Sequence, residues 1–134
     1  MNEFQAAMGL CVLDDIAAIK ANRKNICDFY FQELGKFLSF QIWNEYATQN
    51  YAYFPVVFKD EKQLLKTQKK LNENSIFPRR YFYPSLESLP YINKYQKCEN
   101  SQSISKRILC LPLYDDLSLD DAERITDIIK RCSL

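Results

Sequence analysis

YAYFPVVF, residues 51–58, decides what kind of fold this chain makes. Its aromatic and β-branched residues suit a pleated, half-buried surface, so it reads as a strand. Pro55 lacks the N–H that a sheet interior uses, which points to an edge strand or a bulge. On either side the hydrophobic period changes. Upstream, Ile16, Ile19, Arg23, Ile26, Tyr30 and Leu34 recur at threes and fours, the spacing of an amphipathic helix, and Gly35 is a natural stop just after it. Downstream, Asp60 followed by Gln63 has the form of a capping box. The helix it opens carries Leu64, Leu65, Gln68 and Leu71 on one side, with Lys62, Lys66, Lys69 and Lys70 mostly outward.

Farther out, LSFQIW (38–43) reads as a short strand and IFPRRYF (76–82) as another extended piece. RILCLPLY (107–114) reads as a buried strand ending at Pro112. Residues 87–107 are polar and irregular, with a short helix over 101–107. Ser118 with Asp121 caps a last helix whose stripe is Leu119, Ala122, Ile125, Ile128, Ile129 and Cys132. No repeat or linker interrupts the 134 residues, so the expectation is a single domain over 1–134. Its class is α+β, a small mostly antiparallel sheet packed with helices behind a long N-terminal helical segment.

That N-terminal segment is the anomaly. FQAAMGLCVL (4–13) has one polar residue, Gln5, and the composition of a helix. A helix apolar on every side needs burial on every side, and a small domain rarely surrounds its own terminal helix. The segment therefore predicts cover from outside, by a partner subunit or by another part of the same protein. Whether it is continuous with the amphipathic helix or kinked near Asp14 is open at this level.

What is missing excludes most chemistry. With no histidine, Ser-His-Asp, Cys-His and histidine general-base machinery are ruled out. Two glycines cannot build a glycine-rich phosphate loop. Cys11, Cys27, Cys98, Cys110 and Cys132 include no C-x-x-C pair, which argues against zinc and for reduced, buried thiols in a cytoplasmic protein. A net charge of +1 gives no field to draw nucleic acid or an anionic membrane, and no apolar run is long enough to span a bilayer.

Three stretches, in this order, resemble one family: MNEFQAAMGLCVLDDI (1–16), RRYFYPSLESLPY (79–91) and SKRILCLPLYDDLS (105–118), with NYAYFPVVF (50–58) fitting the family's strand after its long helix. Together they are similar to the C-terminal part of the DegT/StrS-type sugar aminotransferases, pyridoxal-phosphate (PLP) enzymes that aminate nucleotide-linked keto-sugars for cell-surface polysaccharides. The resemblance runs from Met1 almost to Leu134. It implies a dimeric parent enzyme of fold type I, drawing its amino group from a donor such as glutamate.

The resemblance also implies what lies elsewhere. In the family a large N-terminal domain holds the Schiff-base lysine, the acidic partner of the pyridine nitrogen and most of the phosphate-binding residues. An asparagine just before the position of Met1 reaches the cofactor of the neighbouring subunit. PLP therefore belongs to the full-length family, and none is expected on this chain alone, which should be inactive by itself. SISK (103–106) falls where the family has an ordinary helix, and Glu99 stands where relatives often have proline.

By the same resemblance RRYFYPSL (79–86) faces the substrate cleft. Tyr81 and Tyr83 are the candidate cleft residues and Arg80 a candidate phosphate contact, since arginine pairs two-pronged with phosphate and tyrosine stacks or hydrogen-bonds. Strand alternation would put Tyr81 and Tyr83 on one face and Phe82 in the core. The residues also read as simple packing, with both arginines solvated. Two further functions fit: an interaction module that binds an aminotransferase partner or a second copy through helix 4–19, and a nucleotide-sugar-binding domain. Stacking on single-stranded nucleic acid has the right residue types, but the charge balance disfavours it.

Overall fold

The computed structural model describes residues 1–92 and 97–133. Helix α1 (Glu3–Asp14) opens on a capping box: the Gln5 N–H donates to Asn2 Oδ1 at 2.9 Å, and the Asn2 N–H donates back to Gln5 Oε1 at 3.0 Å. Only Asp15 separates it from α2 (Ile16–Leu34), and the Ile19 N–H already bonds the Asp15 carbonyl at 3.0 Å. The two helices therefore run on with a one-residue break. Gly35 follows α2 as expected, but in a right-handed conformation with φ −59° rather than the left-handed one.

The sheet has the order β1-β2-β3, from β1 (Ser39–Phe40), β2 (Phe54–Val57) and β3 (Ile108–Leu111), antiparallel throughout. YAYFPVVF thus supplies the central strand, which overturns the edge-strand expectation. Pro55 is tolerated there for a local reason. Cys110, its partner on β3, turns its N–H and C=O the other way, to Arg79. Pro55 and Cys110 are thus a non-hydrogen-bonded pair, and the proline nitrogen points to the β1 side. On that side β1 pairs only with Val56 and Val57 and stops before it reaches Pro55. No ladder bond is lost.

LSFQIW contributes two strand residues, and IFPRRYF contributes a single bridge, Arg79 with Cys110, in place of a strand. Helix α3 (Glu61–Glu73) starts at Asp60, whose carboxylate accepts from the Gln63 N–H at 2.8 Å. The return bond of the box goes one residue further back: Gln63 Oε1 accepts from the Lys59 N–H at 3.1 Å. Helix α4 (Glu99–Arg107) is two residues longer than expected at its start. Helix α5 (Leu119–Ser133) begins at the predicted Ser118 cap.

Phe54, Val56 and Phe58, with Leu109 and Leu111, form the sheet's contribution to one core. Ile26, Tyr30 and Leu34 of α2, Leu64 and Leu71 of α3, and Ala122, Ile125 and Ile129 of α5 complete it. Tyr30 is fully buried: its ring meets Phe54 at 5.0 Å and its hydroxyl donates to the Pro112 carbonyl at 3.1 Å, so the phenol keeps a partner inside the core. Each predicted stripe is trimmed where the chain leaves this core. Ile16, Leu65 and Leu119 are exposed, while Thr67 and Thr126 are buried in their place. Cys27, Cys110 and Cys132 are buried free thiols, whereas Cys11 and Cys98 are exposed.

Helix α3 ends without glycine. The Ser75 N–H bonds the Asn72 carbonyl and the Ile76 N–H the Leu71 carbonyl, both at 3.0 Å, the two bonds of a Schellman motif. Ser75 takes the left-handed position at φ 62°. A side chain there costs about 1–2 kcal/mol, part of which glycine returns as chain entropy. Ser75→Gly is expected to stabilise the chain by about 0.5–1 kcal/mol, a rise of roughly 2–4 °C in Tm by differential scanning calorimetry. An unchanged or lowered Tm would contradict this reading of the turn.

Candidate functional site

Beside β3 lies a cleft of about 340 Å³ lined by Ala52, Tyr53, Phe77, Arg79, Tyr81 and Cys110 to Tyr114. Its position follows from the backbone. Tyr53 immediately precedes β2, and Arg79 is fixed to β3 by reciprocal bonds with Cys110, N–H to C=O at 3.1 Å and 2.8 Å. The strand ends at Leu111, and the chain continues through Pro112, Leu113 and Tyr114 to a turn at Asp115 and Asp116. The cleft shares Phe77, Pro112 and Tyr114 with a second hollow of about 560 Å³ that runs towards Asn74, Asp121 and Arg124.

Of the three predicted site residues, the cleft takes Tyr81 alone. Tyr81 stands edge-on to Tyr53 with ring centroids 5.6 Å apart, and its hydroxyl oxygen accepts from Arg79 Nη1 at 2.7 Å. Arg80 lies outside. Its guanidinium donates to Glu61 Oε1 at 2.9 Å and to the Lys106 carbonyl at 3.1 Å, and its Cζ sits 3.7 Å from the centre of the Tyr83 ring. One side chain thus ties the start of α3, the end of α4 and the aromatic loop together. Its engagement within the protein is a cation–π stack plus charge-assisted bonds.

Tyr83, under that guanidinium, is not part of the cleft wall. Phe82 is 72% exposed, which corrects its placement in the core. The alternation behind that placement requires a strand, and past Arg79 the segment is turn and bend. The peptides before Phe82 and Pro84 are both cis. Tyr53, Arg79 and Tyr114 were missed as cleft residues. A signal existed for Arg79, because counting back two from Tyr81 on the same alternation reaches it.

The cleft wall presents an arginine, three tyrosines and a cysteine among apolar side chains. Burial pushes the Cys110 thiol above its ordinary pKa, so it is a poor nucleophile at neutral pH. The cleft wall contains no lysine and no carboxylate. Among the described residues no group of acidic and cysteine side chains could hold a metal ion, and no helix is long and apolar enough to cross a membrane. The hydrogen bond to Tyr81 raises the pKa of Arg79 and keeps its positive charge secure.

A second surface stands apart from the cleft. No residue of α1 is buried: Phe4, Met8, Leu10, Val12 and Leu13 are all more than half exposed. Phe4, Ala7, Met8, Cys11 and Val12, with Glu3 at one end, line one largely apolar hollow along it.

Comparison with known proteins gives these surfaces a context. The DegT/DnrJ/EryC1/StrS aminotransferase family matches residues 1–130. A dTDP-4-amino-4,6-dideoxy-D-glucose transaminase of Shigella dysenteriae is 32% identical over 97% of this chain, and the chain spans 37% of that protein's length. Among solved structures, DesI with its TDP-sugar product superposes with a TM-score of 0.86 at 23% identity, covering 99% of this chain and 36% of DesI. Spr1654 of Streptococcus pneumoniae, described as a sugar aminotransferase and solved in its PMP form, gives a TM-score of 0.87 at 20% identity, over 99% of this chain and 35% of its own. At those identities the structural likeness is one of fold.

Proposed function

This chain belongs to the DegT/DnrJ/EryC1/StrS aminotransferase family, and from that premise we propose that it forms the C-terminal, substrate-facing part of a PLP-dependent aminotransferase acting on nucleotide-linked keto-sugars in the cytoplasm. By itself it carries out no transfer. The observation that supports this reading is the matched fold, about a third of the relatives' length, together with a cleft that has binding groups and no reacting ones.

PLP requires a lysine amine for its imine, a carboxylate opposite its pyridine nitrogen and a cup for its phosphate. The described lysines lie on the surface or are engaged elsewhere: Lys130 with Glu33, Lys70 with Glu73 at 2.8 Å, and Lys66 with the Cys132 carbonyl at 3.3 Å. None lines the cleft, so the residues described do not fit the cofactor. In the proposed role Tyr81 belongs to the substrate wall, and Arg80, stacked on Tyr83, holds that wall in place.

PLP titration of the purified chain, followed by borohydride reduction and peptide mapping, tests this. Weak adducts scattered over surface lysines are expected. A stoichiometric adduct at one lysine would mean the chain has its own cofactor site, and the reading would fall.

The exposed apolar helix favours a second element of function, association. Surface of this kind on a soluble chain marks an interaction site. Residues 4–19 are therefore covered by protein, which for the isolated chain means a second copy of itself.

A further inference from the structure

The geometry points to Arg79, with Tyr81, as the pair that takes a phosphoryl group of the ligand, the role that sequence alone assigned to Arg80. This deepens the nucleotide-sugar reading above and rests on it for the ligand class.

The two neighbouring arginines are in opposite states. Arg80 meets a carboxylate, a carbonyl and an aromatic face, and its side chain is 15% exposed. Arg79 is exposed, lines the cleft, and among the described residues makes no ion pair; its side-chain contacts are the donation from Nη1 to the Tyr81 oxygen and a looser approach of its Cζ to the Tyr81 ring, 5.9 Å from the centre. Its Nε and Nη2 hydrogens remain for an anion. A guanidinium presents these donors in a planar fork that matches the spacing of phosphate oxygens.

Tyr81 completes the site. Its oxygen already accepts from Arg79, so the hydroxyl proton has to be directed elsewhere. A hydroxyl that accepts from a cation is polarised into a better donor. Arg79 and Tyr81 can therefore donate together to one anion. Both groups are braced: the Arg79 backbone by Cys110, and the Tyr81 ring by Tyr53 and Phe82 at 5.6 Å and 5.4 Å. Leu111 and Pro112 form the apolar part of the same wall. The adjoining hollow beyond Phe77 and Tyr114 leaves room for the rest of a nucleotide.

The shared chemistry is a diphosphate, from either a nucleotide or free pyrophosphate. The test is NMR on the uniformly labelled 134-residue chain, titrated with UDP, dTDP, inorganic pyrophosphate and glutamate. Shifts at Arg79 Nε–H and the Tyr81 ring are read in each arm. The nucleoside diphosphates are expected to move both groups, with Kd rising at least tenfold in Arg79→Gln and severalfold in Tyr81→Phe. Unchanged Tm in these two variants separates the effect from misfolding.

An equal response to pyrophosphate supports the phosphoryl site while removing the nucleotide from it. Nucleotide binding that survives Arg79→Gln overturns the inference but leaves the nucleotide-sugar reading in place. A stronger response to glutamate, or none to millimolar diphosphates, also overturns it.

Discussion

Met8→Asp is expected to convert the isolated chain from a self-associating species to a monomer. Met8 is 64% exposed in the middle of the hollow shared with Phe4, Ala7, Cys11 and Val12. Each such side chain contributes about 1.5–3 kcal/mol when covered, so two facing helices have enough apolar surface to associate. A carboxylate at the centre has no cationic partner along that stripe and would be desolvated unpaired. The dissociation constant should rise about a hundredfold or more, some 3 kcal/mol.

Sedimentation velocity over a micromolar concentration series reads this directly. Because no α1 residue belongs to the core, the Tm of the remaining fold should hardly move. A wild-type chain that stays monomeric at the highest concentration would remove the association proposal, whatever the variant does.

Phe54→Ala is expected to leave the fold close to its limit of stability. The ring lies 5.0 Å from Tyr30, 4.9 Å from Phe31 and 5.7 Å from Phe40, at the join of α2 with the central strand. Truncating a buried phenylalanine costs about 3–5 kcal/mol, against a typical total of about 5–15. Urea unfolding should show the midpoint falling by a third or more. Phe82→Ala, at a position that the bare sequence assigned to the core, should cost less than about 0.5 kcal/mol because that ring is in solvent. Equal costs at the two positions would refute this account of the packing.

Helices were legible because their evidence is local. The stripe of α5, the Ser118 cap and the Asp60 cap were readable from residues three and four apart. The burial of Ile125 and Ile129 and the Asp60 and Ser118 bonds agree with them. The uniform apolarity of 4–13 was equally plain, and the exposure of α1 agrees with a segment that this domain does not cover. The candidate site was harder to read. Of the three residues named in RRYFYPSL, Tyr81 alone lines the cleft, with Arg79, Tyr53 and Tyr114 joining it unannounced.

The sequence by itself determined the helices, the three strands and the α+β class, because propensity, periodicity and composition act over a few residues. It did not determine that 76–82 would give a bridge in place of a strand. Tertiary structure alone decided that Pro55 sits in the central strand, since this depends on where β1 stops and which way Cys110 turns its backbone. It also decided which arginine is engaged within the protein. Arg79 and Arg80 are chemically the same side chain one residue apart. Only the arrival of Glu61 from α3 and the Lys106 carbonyl from α4 makes one a brace and leaves the other facing the cleft.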